Sequence, residues 1–204
     1  MNTKKRILIA AERLFAEQGF AQTSMREITT EADVNLAAIN YHFGSKNNLI
    51  QAVFQRYFDQ LMPDLNKVLN AVNERDDVNV EDVFGALIAP LMALEKIRSN
   101  GAAVFLLLLG RGYNESRGHM RKFIQAEYGE TLSMLVQCIH KSVSWISAET
   151  LFWRLHFALG SVVFSMAART ALSEIVEADF NHQTSTHEIL LSLLPFVSQG
   201  ISAK

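Results

Sequence analysis

Apolar residues recur at helical spacing along the first sixty residues, in segments bounded by residues that begin and end helices. In the first segment, Ile7, Ala11, Leu14 and Phe15 fall at positions i, i+4, i+7 and i+8, and Gly19 follows them. This spacing places apolar side chains on one face of a helix, and a glycine after the last periodic residue is typical of a helix end. The chain therefore begins with an amphipathic helix.

Two short helices are predicted to follow the first one. Ser24 has Glu27 three residues further on, which is the spacing of a capping box and indicates the start of a second helix. Asn35 is a suitable N-cap for a third helix, which Gly44 then ends. Two short helices joined by a few residues and braced by a longer one are the organisation of a helix-turn-helix DNA reader.

Composition extends the helical interpretation to the whole chain. Only three prolines and ten glycines occur in 204 residues, and 49% of the residues are hydrophobic, which is enough for a sizeable core. Helices are predicted over residues 46–73, 83–97, 102–111, 121–143 and 150–172, and from about residue 186, where Ser185 and Glu188 form another capping box. We therefore predict an all-α protein, with a helix-turn-helix domain at residues 1–50 and an effector-binding and dimerisation domain at residues 51–204.

The third predicted helix carries candidate contacts to DNA bases. Val34 and Ile39 are apolar anchors toward the bundle, which leaves other residues on the face turned away. Small side chains let a helix enter a major groove, where asparagine pairs with adenine and alanine or leucine touches a thymine methyl. The candidates are Asn35, Leu36, Ala37 and Asn40. The alternative is an ordinary solvated helix face.

Candidate phosphate contacts follow at the end of that helix. Tyr41, His42 and Lys46 supply a hydroxyl, an imidazole and an ammonium group, and Lys46 opens the next helix beside its first free amides. Such donors near a helix N-terminus suit phosphate oxygens, and they fix orientation without reading sequence. The alternatives are a capping or packing histidine and a solvated lysine.

Residues 4–54 resemble the DNA-binding segment of the TetR family of bacterial transcriptional regulators. Residues 6–54 of this stretch read RILIAAERLFAEQGFAQTSMREITTEADVNLAAINYHFGSKNNLIQAVF, and the positions that carry the resemblance are Gly19, Phe20, Thr23, Ile28, Val34, Tyr41, Phe43 and Lys46. The resemblance implies phosphate contacts from Thr23 or Ser24, Tyr41, His42 and Lys46, and base contacts from residues 35–37 and Asn40. Asp33 stands where the family usually has glycine in the turn, and Asn40 where an aromatic residue is common.

Other functional classes find little support in the sequence. The chain lacks the H-E-x-x-H, G-x-S-x-G and phosphate-cradling glycine motifs, and its six histidines lack metal-ligand spacing, so we expect no enzyme, no metal site and no cofactor. The single cysteine, Cys138, is predicted to be a buried and unreactive thiol. Residues 102–109 are too short to cross a bilayer, and residues 151–168 carry Arg154 and His156. We expect a cytoplasmic protein with no membrane partner.

Residues 151–168 are apolar around nearly the whole circumference of the predicted helix, so two of its faces must be buried. One face can pack within the subunit and the other against a second copy, and small residues would allow a close approach of the two helices. The TetR resemblance likewise implies a homodimer sealed by the last two long helices, and two-fold symmetry then predicts a palindromic operator. The candidate dimer residues are Gly160, Ser161, Ser165, Leu190 and Leu194.

Apolar residues of the C-terminal region also suggest a ligand cavity. The candidates are Phe105, Leu109, Phe123, Leu132, Trp153, Phe157 and Phe164, with Arg111 or His156 at the mouth. The alternative is that these side chains form the core. The segments GHMRKFIQAEYGE, LFWRLHFALGSVVFSM and TSTHEILLSLLPF resemble the PsrA group of TetR regulators. This resemblance implies a repressor that controls fatty-acid degradation and is released from its operator by long-chain fatty acids or their CoA esters. Two alternatives stay open: a regulator of drug efflux that senses another hydrophobic compound, and a lipid carrier with a vestigial helix-turn-helix.

Overall fold

The structure is a computed structural model that describes residues 2–115 and 118–204, and of the side chain of residue 114 nothing is stated. The described residues form ten α-helices and one short 3-10 helix, without a β-strand, so the predicted all-α class is confirmed. The helices are α1 Thr3–Gln18, α2 Met25–Ala32, α3 Leu36–Phe43, α4 Lys46–Asn73, α5 Val80–Met92, the 3-10 helix Ala93–Lys96, α6 Gly101–Glu115, α7 His119–Ser142, α8 Ala148–Ala167, α9 Arg169–Phe180 and α10 Thr186–Ser202.

These helices form two compact units. The first contains residues 1–59 and 107–127, and the second contains residues 60–106 and 128–204. The helices α4, α6 and α7 each contribute residues to both units. The boundary predicted after residue 50 lies inside α4, and it stays a prediction.

Local sequence signals set the helix ends of the first unit. Gly19 is the C-cap of α1, the Ser24 and Glu27 capping box starts α2, and Asn35 caps α3 through its side chain. Ser45 accepts a hydrogen bond from the amide of Asn48 at the start of α4, at 3.2 Å. The predicted ends at Gly19, Ser24 and Asn35 are confirmed, and Ser45 adds a cap at the start of the predicted helix from residue 46.

Aromatic and charged contacts hold α1 against its neighbours in the first unit. The buried rings of Phe15 and Phe20 meet edge to face at 5.1 Å between centroids. Glu12 is buried, and its carboxylate accepts a hydrogen bond from Arg56 of α4 at 2.9 Å. A buried carboxylate requires such a partner, because an unpaired buried charge is strongly destabilising. The pair therefore ties α1 to α4.

In the second unit, α10 packs against α5 and α8. Its inward side carries Leu190, Val197 and Ile201, which are buried. At its C-terminal end, Arg154 of α8 donates to the carbonyl oxygens of Ile201 at 2.7 Å and Ala203 at 2.5 Å. The last carbonyls of a helix have no partner within the helix, so this arginine supplies one.

The sequence prediction of one helix over residues 150–172 is wrong. The structure ends α8 at Ala167, and Ala168, with φ −90° and ψ 5°, joins it to a separate helix α9. The segment NESRG, residues 114–118, is predicted from its polar composition to be a surface connection, and it includes residues 116 and 117, which lie outside the described part of the chain. Apolar periodicity continues across the break at Ala168, and for this reason the pattern alone did not reveal it.

The sequence prediction for the single cysteine is confirmed. Cys138 is 3% exposed, and burial raises the pKa of its thiol, which keeps it protonated.

Among the described helices, α8 alone is long and apolar enough on average to cross a membrane, with a mean hydropathy of 1.2. Core helices of soluble proteins pass the same test, so length and composition alone do not identify a membrane span.

Candidate nucleic-acid interface

A tight turn joins α2 to α3. Asp33, its first residue, lies in the left-handed region at φ 49°, and the amide of Val34 donates to the carbonyl of Thr29 at 3.0 Å. Aspartate adopts this backbone conformation at a cost in conformational energy that glycine does not have. Arg6 of α1 donates to the Asp33 carboxylate at 3.4 Å. The departure from glycine noted in the sequence thus leaves the left-handed turn in place.

The helix α3 presents two different faces. Ile39 and Phe43 point into the core, at 0% and 7% exposure, and Val34 is half-buried just before the helix. The opposite face holds residues at positions i, i+1, i+4 and i+5, all of which are exposed: Leu36, Ala37, Asn40 and Tyr41. The burial pattern therefore turns toward solvent the face that the sequence predicted to read DNA.

Asn35 already has a structural role at the start of α3. Its Oδ1 accepts a hydrogen bond from the Ala38 amide at 2.9 Å, which satisfies one of the free donors of the helix N-terminus. The side-chain amide nitrogen of Asn35 is the donor that this cap does not use. A base contact from Asn35 would use this nitrogen as donor, or the remaining lone pair of Oδ1 as acceptor.

Tyr41 is the most exposed large apolar residue of the described chain, at 85%. Its ring meets the half-buried ring of His42 edge to face, with centroids 5.1 Å apart. His42 in turn lies 6.2 Å from the core ring of Phe43. The packed histidine supports the tyrosine, whose hydroxyl extends into solvent beside the outward face of α3.

Lys46 occupies the first position of α4. Its ammonium donates to the Ala21 carbonyl at 3.5 Å, which is the outer limit of a hydrogen bond, and the side chain borders a cleft of about 270 Å³. A contact this long is weak. The cleft leaves the ammonium room to exchange this carbonyl for another acceptor.

The structure corrects one candidate of the phosphate set. Thr23 is fully buried, and its hydroxyl donates to the Gly19 carbonyl at 2.7 Å, so it cannot reach a phosphate from this position. Ser24 is exposed, and it caps α2 by accepting from the Glu27 amide. The amide of Ser24 donates to the Glu27 carboxylate at 2.6 Å, and this hydrogen bond lowers the pKa of that carboxyl.

Arg26 is a cation that the sequence reasoning did not single out. It is the second residue of α2, it is exposed, and it lies two positions after Ser24. A basic residue in the first turn of a helix that starts near a proposed phosphate site is a candidate phosphate contact. The N-cap signal at Ser24 would have been enough to place Arg26 there.

Arg111 lies elsewhere than predicted. It was expected at the mouth of a ligand cavity, whereas its Nη2 donates to the carbonyls of Ala16 and Glu17 at the end of α1, at 3.2 and 3.3 Å. His156 also has a local partner, since its Nδ1 lies 2.6 Å from the Phe152 carbonyl, and its ring lies 4.0 Å from the Phe152 ring. Arg111 and His156 therefore both have polar partners within the protein already.

The predicted cavity residues divide into buried and exposed sets. Phe105 is buried, and Leu109, Phe123 and Leu132 are half-buried. Three aromatic residues of α8 are instead exposed on one outer face, so their assignment to an enclosed cavity is corrected: Trp153 at 53%, Phe157 at 66% and Phe164 at 64%. Their spacing of i, i+4 and i+11 is one helical stripe, opposite the buried Leu151, Ala158 and Met166.

The predicted dimer residues divide in the same way. Gly160 belongs to the outer stripe of α8, where a Cβ atom would meet nothing within 4 Å, and Ser161 and Ser165 are half-buried beside it. Leu190 is buried within its own chain, so its assignment to a seam is corrected, whereas Leu194 is half-buried near Gly85 of α5 and its assignment stays a prediction. The exposed apolar residues of α10, which the sequence did not reveal, are Leu191 and Phe196.

Two short helices joined by a left-handed turn, with an exposed face on the second and a lysine at the next helix start, define a protein of the helix-turn-helix class. The chain belongs to the TetR family. The family model described as "Bacterial regulatory proteins, tetR family" matches residues 7–53, and the one described as "Tetracyclin repressor-like, C-terminal domain" matches residues 85–200. Members of this family are regulators and not enzymes, as the sequence predicted.

Curated relatives are similar over the N-terminal part of the chain. "Probable HTH-type transcriptional regulator YttP" of Bacillus subtilis is 39% identical over 59 residues, which cover 29% of this chain and 28% of that protein. "HTH-type transcriptional activator FasR" of Mycolicibacterium smegmatis is 34% identical over 68 residues, covering 33% and 31%. The chain thus spans about a third or less of the length of these relatives.

A solved structure is similar over the whole chain. It is that of a Clostridium perfringens protein described provisionally as a fatty acid metabolism regulator, and it matches with a TM-score of 0.57 and 16% identity. The match covers 98% of this chain and 100% of that one. At this identity the likeness concerns the fold.

Proposed function

We propose that the chain is a transcriptional regulator that reads double-stranded DNA with the outward face of α3. The observation that carries this proposal is the row of exposed side chains at Leu36, Ala37, Asn40 and Tyr41 on a short helix whose other face is buried. A major groove admits such a helix, and asparagine and small apolar side chains match the edges of A·T pairs. Base recognition is assigned to this face, with a further donor from Asn35.

Phosphate contacts would fix the orientation of α3 on the duplex. Lys46, His42, Tyr41 and Ser24 are exposed or half-exposed at the ends of α2, α3 and α4. Helix N-termini and donors of this kind bind phosphate oxygens without reading sequence. We add Arg26 to this set, because it shares the first turn of α2 with Ser24.

The regulator is proposed to act as a homodimer in the bacterial cytoplasm, where its DNA lies. The support is the outer stripe of α8, on which the large apolar side chains of Trp153, Phe157 and Phe164 are exposed beside Gly160, together with the exposed Phe196 of α10. Exposed apolar patches of this kind mark sites of association. A two-fold dimer would bind a palindromic operator.

The effector is proposed to be a hydrophobic small molecule, a long-chain fatty acid or its CoA ester. The proposal rests on the resemblance of three C-terminal segments to the PsrA group, and on apolar candidates within the second unit, Phe105 and Leu132. The description of the Clostridium perfringens protein as a fatty acid metabolism regulator is consistent with an acyl effector. A hundredfold release from DNA requires about 2.7 kcal/mol of differential binding, which a few methylenes at about 0.8 kcal/mol each would supply.

A binding selection tests DNA recognition. The full-length protein would be incubated with random and genomic duplexes, and bound fragments would be sequenced over successive rounds. We expect enrichment of a palindrome with two A·T-containing half-sites. No enrichment over rounds, with the protein folded, would contradict the proposal and favour a carrier with a vestigial helix-turn-helix.

A second experiment tests the effector. Fluorescence anisotropy would measure affinity for the enriched duplex in the presence of saturated acids, unsaturated acids and CoA esters of increasing chain length. Release that grows with length would support an acyl effector, and Leu132→Trp should weaken that release while leaving DNA binding intact. Release only by drugs or aromatics would favour an efflux regulator. Transcription in vitro would decide between repression and activation, since FasR is named an activator.

A further inference from the structure

Two charged residues at the end of α6 contact the segment that joins α1 to α2. Arg111 donates from Nη2 to the carbonyls of Ala16 and Glu17, at 3.2 and 3.3 Å. Glu115 accepts from the amide of Ala21 through Oε2, at 2.8 Å. All five residues belong to the first unit. We call the two side chains the Arg111–Glu115 pair, because they also lie 3.6 Å apart, between Nη1 and Oε1.

The backbone of the connection is shaped to accept this pair. Gly19 has φ 88° and ψ 169°, a combination that is almost restricted to glycine. A Cβ atom on Gly19 would lie 2.7 Å from Arg111 Nη1 and 2.7 Å from Glu115 Oε1. The backbone conformation therefore favours glycine here, and a side chain at this position would also displace the ends of Arg111 and Glu115 from the connection.

The same connection holds two of the proposed DNA contacts. The Gly19 carbonyl accepts from the buried Thr23 hydroxyl, which directly precedes Ser24, at 2.7 Å. The Ala21 carbonyl accepts from Lys46, at 3.5 Å. Contacts on Gly19 and Ala21 thus reach the N-termini of both α2 and α4.

We infer that Arg111 and Glu115 are positioning residues for DNA binding, which act by holding the connection from Ala16 to Ala21 so that Ser24 and Lys46 meet the backbone of the duplex. This inference rests on the proposed function of the chain. The physical basis is charge-assisted hydrogen bonding, which is stronger than its neutral counterpart and here satisfies two carbonyls that the end of α1 leaves free. Neither residue needs to touch DNA.

The test compares Arg111→Met, Glu115→Met and the double variant with matched controls at exposed positions of the first unit, Lys122→Met and Glu127→Met. The readout is affinity for the duplex enriched by the wild-type protein, over a series of salt concentrations. Each single variant should bind about tenfold more weakly, equivalent to about 1.4 kcal/mol, and the double variant little more weakly than the worse single one. The controls should bind as the wild type does.

The salt series in a Lys46→Ala background separates positioning from contact. A residue that itself neutralises a phosphate lowers the salt slope by about 1 when it is removed, whether or not Lys46 is present. A residue that acts only by placing Lys46 and Ser24 lowers the slope no further once Lys46 has been replaced. Unchanged affinity in the folded single variants would overturn the inference. A slope lower by about 1 in Arg111→Met/Lys46→Ala than in Lys46→Ala would also overturn it, because the arginine would then be a direct phosphate contact.

Hydrogen exchange provides a readout that needs no DNA. The amide of Ala21 should exchange at least about tenfold faster in Glu115→Met than in the wild type, since its acceptor is lost. If Arg111→Met does not fold, Arg111→Lys, which keeps one donor group, should give an intermediate loss of affinity. If the wild type enriches no duplex, the proposed function fails and the role in DNA binding falls with it, while exchange at Ala21 still reports whether the pair holds the connection.

Discussion

Lys46 and Asn40 occupy different kinds of position on the proposed DNA face. Lys46 lies at the start of α4 and borders an open cleft, whereas Asn40 lies in the middle of the outward face of α3. Lys46→Ala should weaken binding to all duplexes alike and lower the salt slope by about 1. Asn40→Ala should relax the preference at one base pair, at a cost of about 1–3 kcal/mol. Anisotropy with matched and single-mismatch duplexes measures both effects.

Lys67 is a suitable control for the lysine. It is exposed on α4 but lies in the second unit, so Lys67→Ala should leave both the affinity and its salt slope unchanged. A changed sequence preference in Lys46→Ala would contradict its assignment as a phosphate contact.

Glu27 links the stability of α2 to pH. The hydrogen bond from the Ser24 amide lowers the pKa of the Glu27 carboxyl below its ordinary value of 4.5. A group whose pKa is depressed by folding stabilises the protein above its unfolded pKa, and this contribution is lost as the pH falls through the folded pKa. Thermal unfolding from neutral pH to below 4.5 should show a smaller acid loss in Glu27→Gln than in the wild type.

Glu127→Gln serves as the matched control, because Glu127 is exposed on α7. Its acid dependence should follow that of the wild type. If the unfolding temperature falls with pH by the same amount in Glu27→Gln and in the wild type, protonation of Glu27 does not contribute to the acid loss of stability in this range.

The outer stripe of α8 permits a test in which folding and association respond in opposite directions. Gly160 is exposed and nothing lies within 4 Å of a Cβ atom there, so Gly160→Leu should be accommodated in the single chain and gain about 0.8 kcal/mol in helix propensity. In the proposed dimer the same leucine would overpack a close helix crossing, at a cost of about 1–3 kcal/mol. We expect a lower association constant by sedimentation and no loss of helix content.

Ala126→Leu, on the exposed side of α7, should leave association unchanged. A Gly160→Leu protein that associates as strongly as the wild type would place the seam away from this stripe.

Helix ends were the most predictable elements of the fold. The capping boxes at Ser24 and Ser185, the Asn35 cap and the glycine at position 19 act through neighbours within four residues, so the local sequence contains the whole signal. The inward and outward faces of α3 were predictable for a related reason, since a helix of eight residues has one buried edge.

Longer-range features were not predictable. The sequence cannot tell which apolar face of α8 packs inside the chain, because Leu151 and Trp153 belong to equally apolar stripes. Arg111 was assigned to a cavity, whereas its partners are the backbone carbonyls of Ala16 and Glu17, about 95 residues away. Every residue has a backbone carbonyl, so the sequence does not show which of them an arginine will bind. The break at Ala168 lacks a glycine or proline that would mark it.

At the scale of the whole molecule, two-fold symmetry constrains the DNA. Two recognition helices fit successive major grooves when the half-sites are one helical turn apart, about 34–36 Å, or a compatible multiple. Inserting about 5 base pairs between the half-sites turns them to opposite sides of the duplex. We expect such an operator to bind far more weakly by anisotropy, with partial recovery when about 10 base pairs are inserted.

A single half-site provides the comparison for this series. Equal affinity for the half-site, the natural spacing and the half-turn insertion would show that the chain binds DNA as independent monomers, and it would contradict the dimer while leaving base recognition by α3 in place.

The outer stripe of α8 also makes the intrinsic tryptophan fluorescence of the protein sensitive to dimerisation. The chain has two tryptophans, Trp145, which is 56% exposed between α7 and α8, and Trp153 on the stripe itself. Indole emission moves to shorter wavelength as water leaves the ring, so burial of Trp153 in a seam would shift the spectrum to the blue. In a Trp145→Phe protein, dilution alone should move the emission back to the red. The protein concentration at the midpoint of this shift would give the dissociation constant of the dimer without any label.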